Sequence, residues 1–265
     1  MPTVRSFGSP PPTAREISLS NGARRWNVPE ETPVAFIYNG RNYAVMLATP
    51  ADLADFAVGF SLAERIISDI GEIDLVEIHH GEGGVDVRLS IAEKALEKFD
   101  IRQQRRNLVG SAGCGVCGLE NADVFFERLA PVVDQMVTLS NEALKRAAQE
   151  LSSFQPLNAS TRSVHAAAWA SNDGGILLAR EDVGRHNALD KLIGALAWSD
   201  IDVSSGFIVM SSRCSYEIID KAARAGVRAV LTISAPTAFA IRKAKEANIA
   251  LYALGGDEIA AVGER

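Results

Sequence analysis

The chain has 265 residues, of which 47% are hydrophobic and 23% charged, a composition typical of a soluble globular protein with one or two domains. Its net charge of -6 gives no general attraction to nucleic acid or to an anionic membrane, so we expect neither as a partner. The sequence has neither an apolar run of membrane-spanning length nor the apolar core of a signal peptide. With three cysteines, we expect no disulfide framework and predict a cytoplasmic location.

The N-terminal part of the sequence predicts a flexible arm followed by a smaller α+β domain. Residues 1–24 are rich in proline and serine and show no hydrophobic period, which is typical of a loose arm. Asn39 and Gly40 lie between two apolar runs and predict a β-hairpin, because a type I′ turn needs positive φ at both positions. A helix with Thr49 as its expected N-cap comes next, and then a second hairpin. The predicted α+β domain spans residues 25–110.

The second predicted domain, residues 111–265, alternates apolar strands with helices. The runs GGILLAR, GFIVMSS, RAVLTIS and IALYAL predict strands, and the segments between them have helical periodicity. This alternation predicts βαβ crossovers and a largely parallel sheet. We also expect a helix that Ser140 caps and a helix of small residues directly after His165.

Cys114 and Cys117 lie three positions apart in the glycine-rich stretch GSAGCGVCGLE. The glycines let backbone amides approach a sulfur, and Arg105 and Arg106 lie upstream, which favours a reactive thiolate over two buried small residues. Three interpretations remain open at this point: a structural zinc site, a redox pair and a persulfide carrier. A zinc site has no second ligand pair nearby, and a redox pair lacks the usual strand-to-helix context. A persulfide carrier needs only thiol exchange.

The segment EDVGRHNALDK follows a predicted strand and is dense in polar groups, among them Asp182 and His186. Ligands of α/β domains bind at the carboxyl ends of strands, so these residues are candidate ligand contacts. A solvated helix start with a capping residue is an equal alternative.

Two further turns at predicted strand ends contain Arg213, and Ser234 with Thr237. Free amides at a helix N-terminus together with an arginine suit a phosphate group. Serine and threonine are also ordinary N-caps, so each turn alone is a weak signal. His165 is a further candidate contact to the same ligand. The alternative is a structural role, in which its side chain packs in the core or caps a helix.

Four segments in this order carry a resemblance to a known family: CGVCG, EDVGRHNALDK, SSRCSYEIIDKAARAG and SAPTAFAIRKAKE. They resemble the FdhD/NarQ family of formate dehydrogenase accessory sulfurtransferases, and the resemblance covers about residues 28–254. It implies a cytidine deaminase-like, three-layer α/β/α C-terminal domain beside the smaller α+β domain.

The resemblance also implies a function. Cys114 is expected to carry a persulfide received from a cysteine desulfurase, with Cys117 as its helper. The acceptor would be molybdenum bis(molybdopterin guanine dinucleotide), bound before its insertion into formate dehydrogenase, with no permanent metal and with a homodimer as the assembly. The alternatives are a non-catalytic cofactor chaperone and a divergent nucleotide hydrolase or deaminase.

The family's pattern places further cofactor contacts on this chain. From its chemistry rather than from the family's pattern, Asp182 is expected to accept from the N–H donors of a guanine edge, because a carboxylate is an acceptor. The chain departs from the family at Arg162 and Ser163, where two glycines are usual, and at Cys214, where alanine is common. The cofactor-binding stretch near the C-terminus lacks its usual Phe and Arg, and it falls on Leu254, Gly255, Gly256, Asp257, Glu258 and Ile259.

Overall fold

The computed structural model describes residues 1–19, 25–100, 128–132, 137–256 and 258–263, and its strands form three sheets. The strands are β1 (Thr3–Phe7), β2 (Ala14–Ser18), β3 (Arg25–Pro29), β4 (Thr32–Tyr38), β5 (Arg41–Ala48), β6 (Ile73–Gly81), β7 (Gly84–Ile91), β8 (His165–Ser171), β9 (Ile176–Asp182), β10 (Gly206–Met210), β11 (Ala229–Thr232), β12 (Ala250–Gly255) and β13 (Glu258–Ala261). The helices are α1 (Leu53–Ala63), α2 (93–100), α3 (Asn141–Glu150), α4 (Pro156–Thr161), α5 (Arg185–Trp198), α6 (Tyr216–Arg224) and α7 (Ala238–Glu246). The prediction of a mixed α/β fold is confirmed.

The first sheet has the strand order β1-β6-β7-β4-β5 and packs against α1. β4 and β5 pair in antiparallel fashion around Asn39 and Gly40, whose φ angles are 46° and 79°. Both hairpins predicted for this region are therefore confirmed, the second being β6–β7. Phe36 of β4 stacks on Phe60 of α1 with ring centroids 4.2 Å apart, which fixes the helix on the sheet.

Helix α1 begins later than predicted, and Thr49 is not its N-cap. The helix starts at Leu53, and its N-cap is Asp52, which has a φ of 52° and no capping side-chain hydrogen bond. Thr49 is instead fully buried. Its hydroxyl accepts from the backbone N–H of Val183, and its own N–H donates to Asp182. The threonine that the sequence assigned to a cap thus connects the first sheet to the second.

Residues 1–24 are not a structureless arm throughout. β1 pairs in parallel with β6, from Thr3 opposite Leu75 to Phe7 opposite His79, and the Phe7 ring stacks on His79. β2 pairs with β3 in a separate two-stranded sheet. β1 has little hydrophobic pattern because it is exposed along its length. It is held by hydrogen bonds to the backbone edge of β6 and not by a buried apolar face.

The second sheet has the order β13-β12-β11-β10-β8-β9 and lies between two helical layers. Side chains of β8 alternate between the two faces of the sheet. Ala167 and Trp169 face the core shared with α5, α6 and α7. The opposite face, which shares a core with α3, carries Ala166, Ala168 and Ala170. The three-layer arrangement that was predicted is therefore present. Its cytidine deaminase-like description stays a prediction.

The sheet is mixed rather than largely parallel. β10, β11 and β12 are parallel and are joined through α6 and α7, but β8, β9 and β13 run antiparallel to their neighbours. The segment after His165 is strand β8 and not the predicted helix. Alanine favours helices in isolation, but here the alanines are fully buried between β9 and β10, and the tertiary environment decides.

Helices α1 and α5 cross where each has a glycine, and this contact joins the two halves of the chain. A β-carbon on Gly59 would overlap the carbonyl oxygen of Asp190, and one on Gly194 would overlap that of Asp55. The two backbones therefore approach as closely as only glycine allows. This crossing holds the N-terminal turn of α5 in a fixed position relative to the first sheet.

Candidate functional site

One edge of the second sheet collects most of the predicted ligand contacts. Asp182 at the end of β9 is opposite His165 at the start of β8. The register continues across the sheet through Met210 of β10 and Thr232 of β11, so the ends of these strands share that edge. We call it the loop edge: His165, Asp182, the N-terminal turn of α5, the turns 211–215 and 233–237, and the hairpin 254–259.

The two turns of the loop edge are tied to each other. The Thr232 hydroxyl lies 2.6 Å from the carbonyl oxygen of Ser212 and 2.9 Å from that of Ser234. The Thr237 N–H donates to the carbonyl of Cys214, and the Thr237 hydroxyl accepts from Ala240 as the N-cap of α7. Ser234 and Thr237 are thus brought next to the turn that carries Arg213, as the sequence predicted, and Thr237 also has the structural role of a cap.

Asp182 does not have the ligand-reading role that the sequence assigned to it. Its side chain is fully buried. One carboxylate oxygen accepts from Gly184 N–H and Asn187 Nδ2, and the other accepts from Thr49 N–H and lies 2.7 Å from Lys191 Nζ. All acceptor positions of the Asp182 carboxylate are therefore occupied by protein groups, and none is left for the N–H donors of a guanine. The predicted guanine contact of Asp182 is wrong. The local motif does not show that a segment distant in sequence, around Thr49, buries this side chain.

Lys191 and Asn187 explain the rest of this dense polar motif. Lys191 Nζ is fully buried and donates to the Thr49 carbonyl at 2.9 Å, and Asn187 Nδ2 donates to the Leu47 carbonyl at 2.8 Å. Glu181 accepts from the first amides of α4, and Asp190 pairs with Lys221. Most polar residues of this motif therefore hold α5 against neighbouring elements. Only the first turn of α5 faces the loop edge.

His186 is held by two residues at the start of α6. Its Nε2 lies 3.2 Å from Glu217 Oε2 and 3.5 Å from Ser215 Oγ, and the Ser215 hydroxyl donates to Glu217 at 2.7 Å. The hydrogen bond from His186, with a second from Ser215, lowers the pKa of Glu217 to about 2 despite partial burial. Glu217 is not among the site residues predicted from the sequence, although its position in the first turn after a strand-end loop is a usable signal.

His165 lies at the same edge in a positively charged environment. Burial lowers the pKa of His165, and the charges of Arg185, His186 and Arg213 lower it further against the opposing effect of Asp182. The ring is partly exposed, and neither ring nitrogen is among the buried atoms that lack a partner. The neutral imidazole is therefore favoured beside the arginines.

Cys214 is not a candidate sulfur nucleophile. It is fully buried, and burial raises the pKa of its thiol to about 12. At neutral pH the group stays a thiol, which is neither a good nucleophile nor a sulfur acceptor. Cys114 and Cys117 lie outside the described residues.

The hairpin of β12 and β13 carries the predicted C-terminal binding stretch. Leu254 is paired with Ile259 and Gly255 with Glu258, and Asp257 lies outside the described residues. The Ile259 side chain belongs to the core, so it is not available to a ligand. Open space surrounds Gly255 and Gly256, which leaves the backbone as the ligand-accessible part of this turn. The exposed carboxylate of Glu258 opposes a phosphate here.

A cavity of about 760 Å³ lies away from the loop edge. It is lined by the C-terminal residues of α1, α5 and α6, with Leu129 on another side, whereas the loop edge is at the N-terminal ends of α5 and α6. The predicted ligand contacts therefore lie at strand-end turns and not in this cavity.

Metal-site clusters and membrane-spanning helices are both absent from the residues that the structure describes. Among them, no group of three or more histidine, cysteine, aspartate or glutamate side chains lies together as a metal site would require. No helix in this part of the chain is both long and apolar enough to span a membrane.

Comparisons with known proteins identify relatives of the whole chain. A sulfur carrier protein FdhD from Xanthomonas euvesicatoria is 44% identical over 97% of this chain and 91% of its own length. Proteins of the same name from Cupriavidus necator and Chromobacterium violaceum are 46% and 47% identical over 84% of this chain, covering 77% and 83% of their own lengths.

The fold is also known. A crystal structure of a candidate formate dehydrogenase accessory protein from Desulfotalea psychrophila matches with a TM-score of 0.69 at 22% identity, covering 96% of this chain and 98% of its own. The model of the FdhD/NarQ family matches residues 29–258. On this match and on the identity to the curated relatives, the chain belongs to the FdhD/NarQ family.

Proposed function

We propose that this protein is a cytoplasmic sulfur carrier that receives persulfide sulfur from a cysteine desulfurase and transfers it to the molybdenum bis(molybdopterin guanine dinucleotide) cofactor of a formate dehydrogenase. The observation that carries the proposal is the gathering of His186, Arg213 and Thr237 at one sheet edge, in a chain whose relatives are named sulfur carriers. We propose that the protein acts as a homodimer.

The loop edge fits the phosphates of the acceptor. Arg213 is exposed there, Arg185 begins α5, and both act electrostatically on His165, so positive charge is concentrated at this point. The hydroxyl of Thr237 and the amides at the starts of α6 and α7 supply hydrogen-bond donors. Cationic side chains and helix N-termini are the groups that bind phosphate in many folds.

Cys114 is proposed to carry the sulfur and Cys117 to assist it. In the loading step, the Cys114 thiolate attacks the terminal sulfur of the donor persulfide, the donor's S–S bond breaks, and the donor cysteine leaves as a thiolate. The outer sulfur atom is thereby transferred from the donor cysteine to Cys114, and no external oxidant is needed. In the sequence, both cysteines have glycine neighbours at 113, 115 and 118, and glycine has no side chain to hinder a donor.

A non-catalytic cofactor chaperone is the second candidate. It is favoured by the loop edge itself, where Cys214 is too deeply buried to be a nucleophile. Formate dehydrogenase activity in cells that carry variants in place of the wild-type chain separates the two functions. A sulfur carrier requires Cys114, so Cys114→Ala is expected to abolish maturation while the purified variant keeps its folding transition.

The comparison variant for this experiment is Arg213→Ala, which weakens acceptor binding in both proposals. Wild-type maturation by Cys114→Ala, with loss in Arg213→Ala, would contradict the carrier and support the chaperone. Cys214→Ala is the matched cysteine control and is expected to mature the enzyme normally, because its thiol stays buried and protonated.

A further inference from the structure

The contact between Glu217 and His186 fixes which ring nitrogen is available to a ligand. Nε2 faces Glu217 Oε2 at 3.2 Å and Ser215 Oγ at 3.5 Å. Nδ1 makes no hydrogen bond to any described residue, and the His186 side chain keeps 20% of its surface exposed. A neutral ring that donates Nε2–H to the carboxylate presents a lone pair at Nδ1, whereas a protonated ring presents a second N–H donor there.

The groups around His186 favour an anion at that nitrogen. Arg185 precedes it on α5 and has a buried Nε without a partner, and Arg213 and His165 lie across the same edge. The nearby carboxylates of Asp182 and Asp190 are each neutralised by a lysine, at 2.7 Å and 2.5 Å. Glu217 is therefore the carboxylate that faces the ring directly. Arg185 and Arg213 place positive charge close to the ring, whereas the exposed carboxylate of Glu258 lies on the separate hairpin of this edge.

We propose that Glu217 is a positioning residue that holds His186 as a phosphate ligand, so that binding of the acceptor's phosphate groups is coupled to the uptake of a proton at Nδ1. This inference rests on the proposed function, because it assigns the phosphate contact of the same edge. The Nδ1–H bond forms when the phosphate arrives, and solvent supplies the proton. His186 then lies between two anions.

Two physical facts support the coupling. The low pKa of Glu217, about 2, keeps its carboxylate charged over the whole range in which proteins are usually studied. An imidazole between a carboxylate and a phosphate retains a proton more strongly than one that faces water, since both neighbours stabilise the cation. His165 is the second imidazole at the edge, and burial beside the arginines favours its neutral form, so we assign the coupled proton to His186.

Isothermal titration calorimetry of the full chain tests the proposal. Guanosine diphosphate, inorganic pyrophosphate and guanosine are titrated at mildly alkaline pH in buffers of different ionisation enthalpy, which gives the number of protons taken up. We expect uptake with both phosphate-bearing probes and none with guanosine. We expect His186→Gln to abolish uptake and Glu217→Gln to weaken diphosphate binding by about 10-fold while flattening its dependence on pH.

The control is Glu142→Gln, an identical change in the first turn of α3 on the opposite face of the sheet, which should behave as wild type. If Glu217→Gln does not fold, Ser215→Ala removes the second hydrogen bond to Glu217 and should reduce the uptake. Diphosphate binding without proton uptake, the same uptake in His186→Gln, or no binding of either phosphate-bearing probe would overturn the inference. Persulfide loading of Cys114 is measured separately by mass, so failure of the proposed function is distinguishable.

Discussion

Arg162 adopts the left-handed conformation at the C-cap of α4, with a φ of 54°. A side chain with a β-carbon is strained there, whereas glycine adopts this conformation without strain. The arginine side chain is exposed, so its removal leaves no cavity. We expect Arg162→Gly to raise the free energy of unfolding by about 1 kcal/mol, since the relief of strain exceeds the entropy that glycine adds to the unfolded chain.

Urea unfolding at neutral pH measures this difference. Arg162→Ala is the matched control, because it removes the same long side chain but keeps the β-carbon and its strain. The explanation fails if the glycine variant is no more stable than the alanine variant.

At the scale of single residues, the sequence predicted positions better than roles. It placed His186, Arg213 and Thr237 at strand ends, which the register confirms. It could not show that Asp182 is sealed by Thr49 and Lys191, because the closing contact comes from a segment more than a hundred positions away. Its role could be read only from the folded structure.

At the scale of elements, the crossing of α1 and α5 depends on two glycines. We expect Gly194→Ala to lower the free energy of unfolding by about 3 kcal/mol, because its β-carbon would overlap the Asp55 carbonyl and force the helices apart. Thermal unfolding followed by circular dichroism measures the loss.

Gly83→Ala is the control for that experiment. Gly83 lies in the β6–β7 turn, where an added β-carbon meets nothing within 4 Å, so we expect little change. Equal stability of the Gly194→Ala and Gly83→Ala chains would show that the close helix crossing is not required.

Elements with strong local signals were predicted from the sequence. The Asn39-Gly40 hairpin and the Ser140 cap of α3, which accepts from Ala143 N–H at 3.1 Å, depend on neighbouring residues alone. β1 and β8 were missed because each depends on a distant partner strand, and the alanines of β8 have no strand preference of their own.

At the scale of the whole molecule, buried polar contacts connect the first two sheets next to the loop edge. Lys191 is fully buried and contacts both Asp182 at the end of β9 and the Thr49 carbonyl after β5. A buried ion pair with all its hydrogen bonds satisfied fixes a single arrangement, because loss of either partner leaves an uncompensated charge. The first sheet therefore holds the start of α5, and with it His186, in place at the loop edge.

In the proposed function, Cys114 carries sulfur to the loop edge. Intact-mass spectrometry after incubation with a cysteine desulfurase and cysteine tests it most directly. We expect the wild-type chain and Cys214→Ala each to gain the mass of one sulfur atom, which a thiol reductant removes, and Cys114→Ala to gain none. A wild-type chain that acquires no sulfur, or a Cys114→Ala chain that still does, would contradict it.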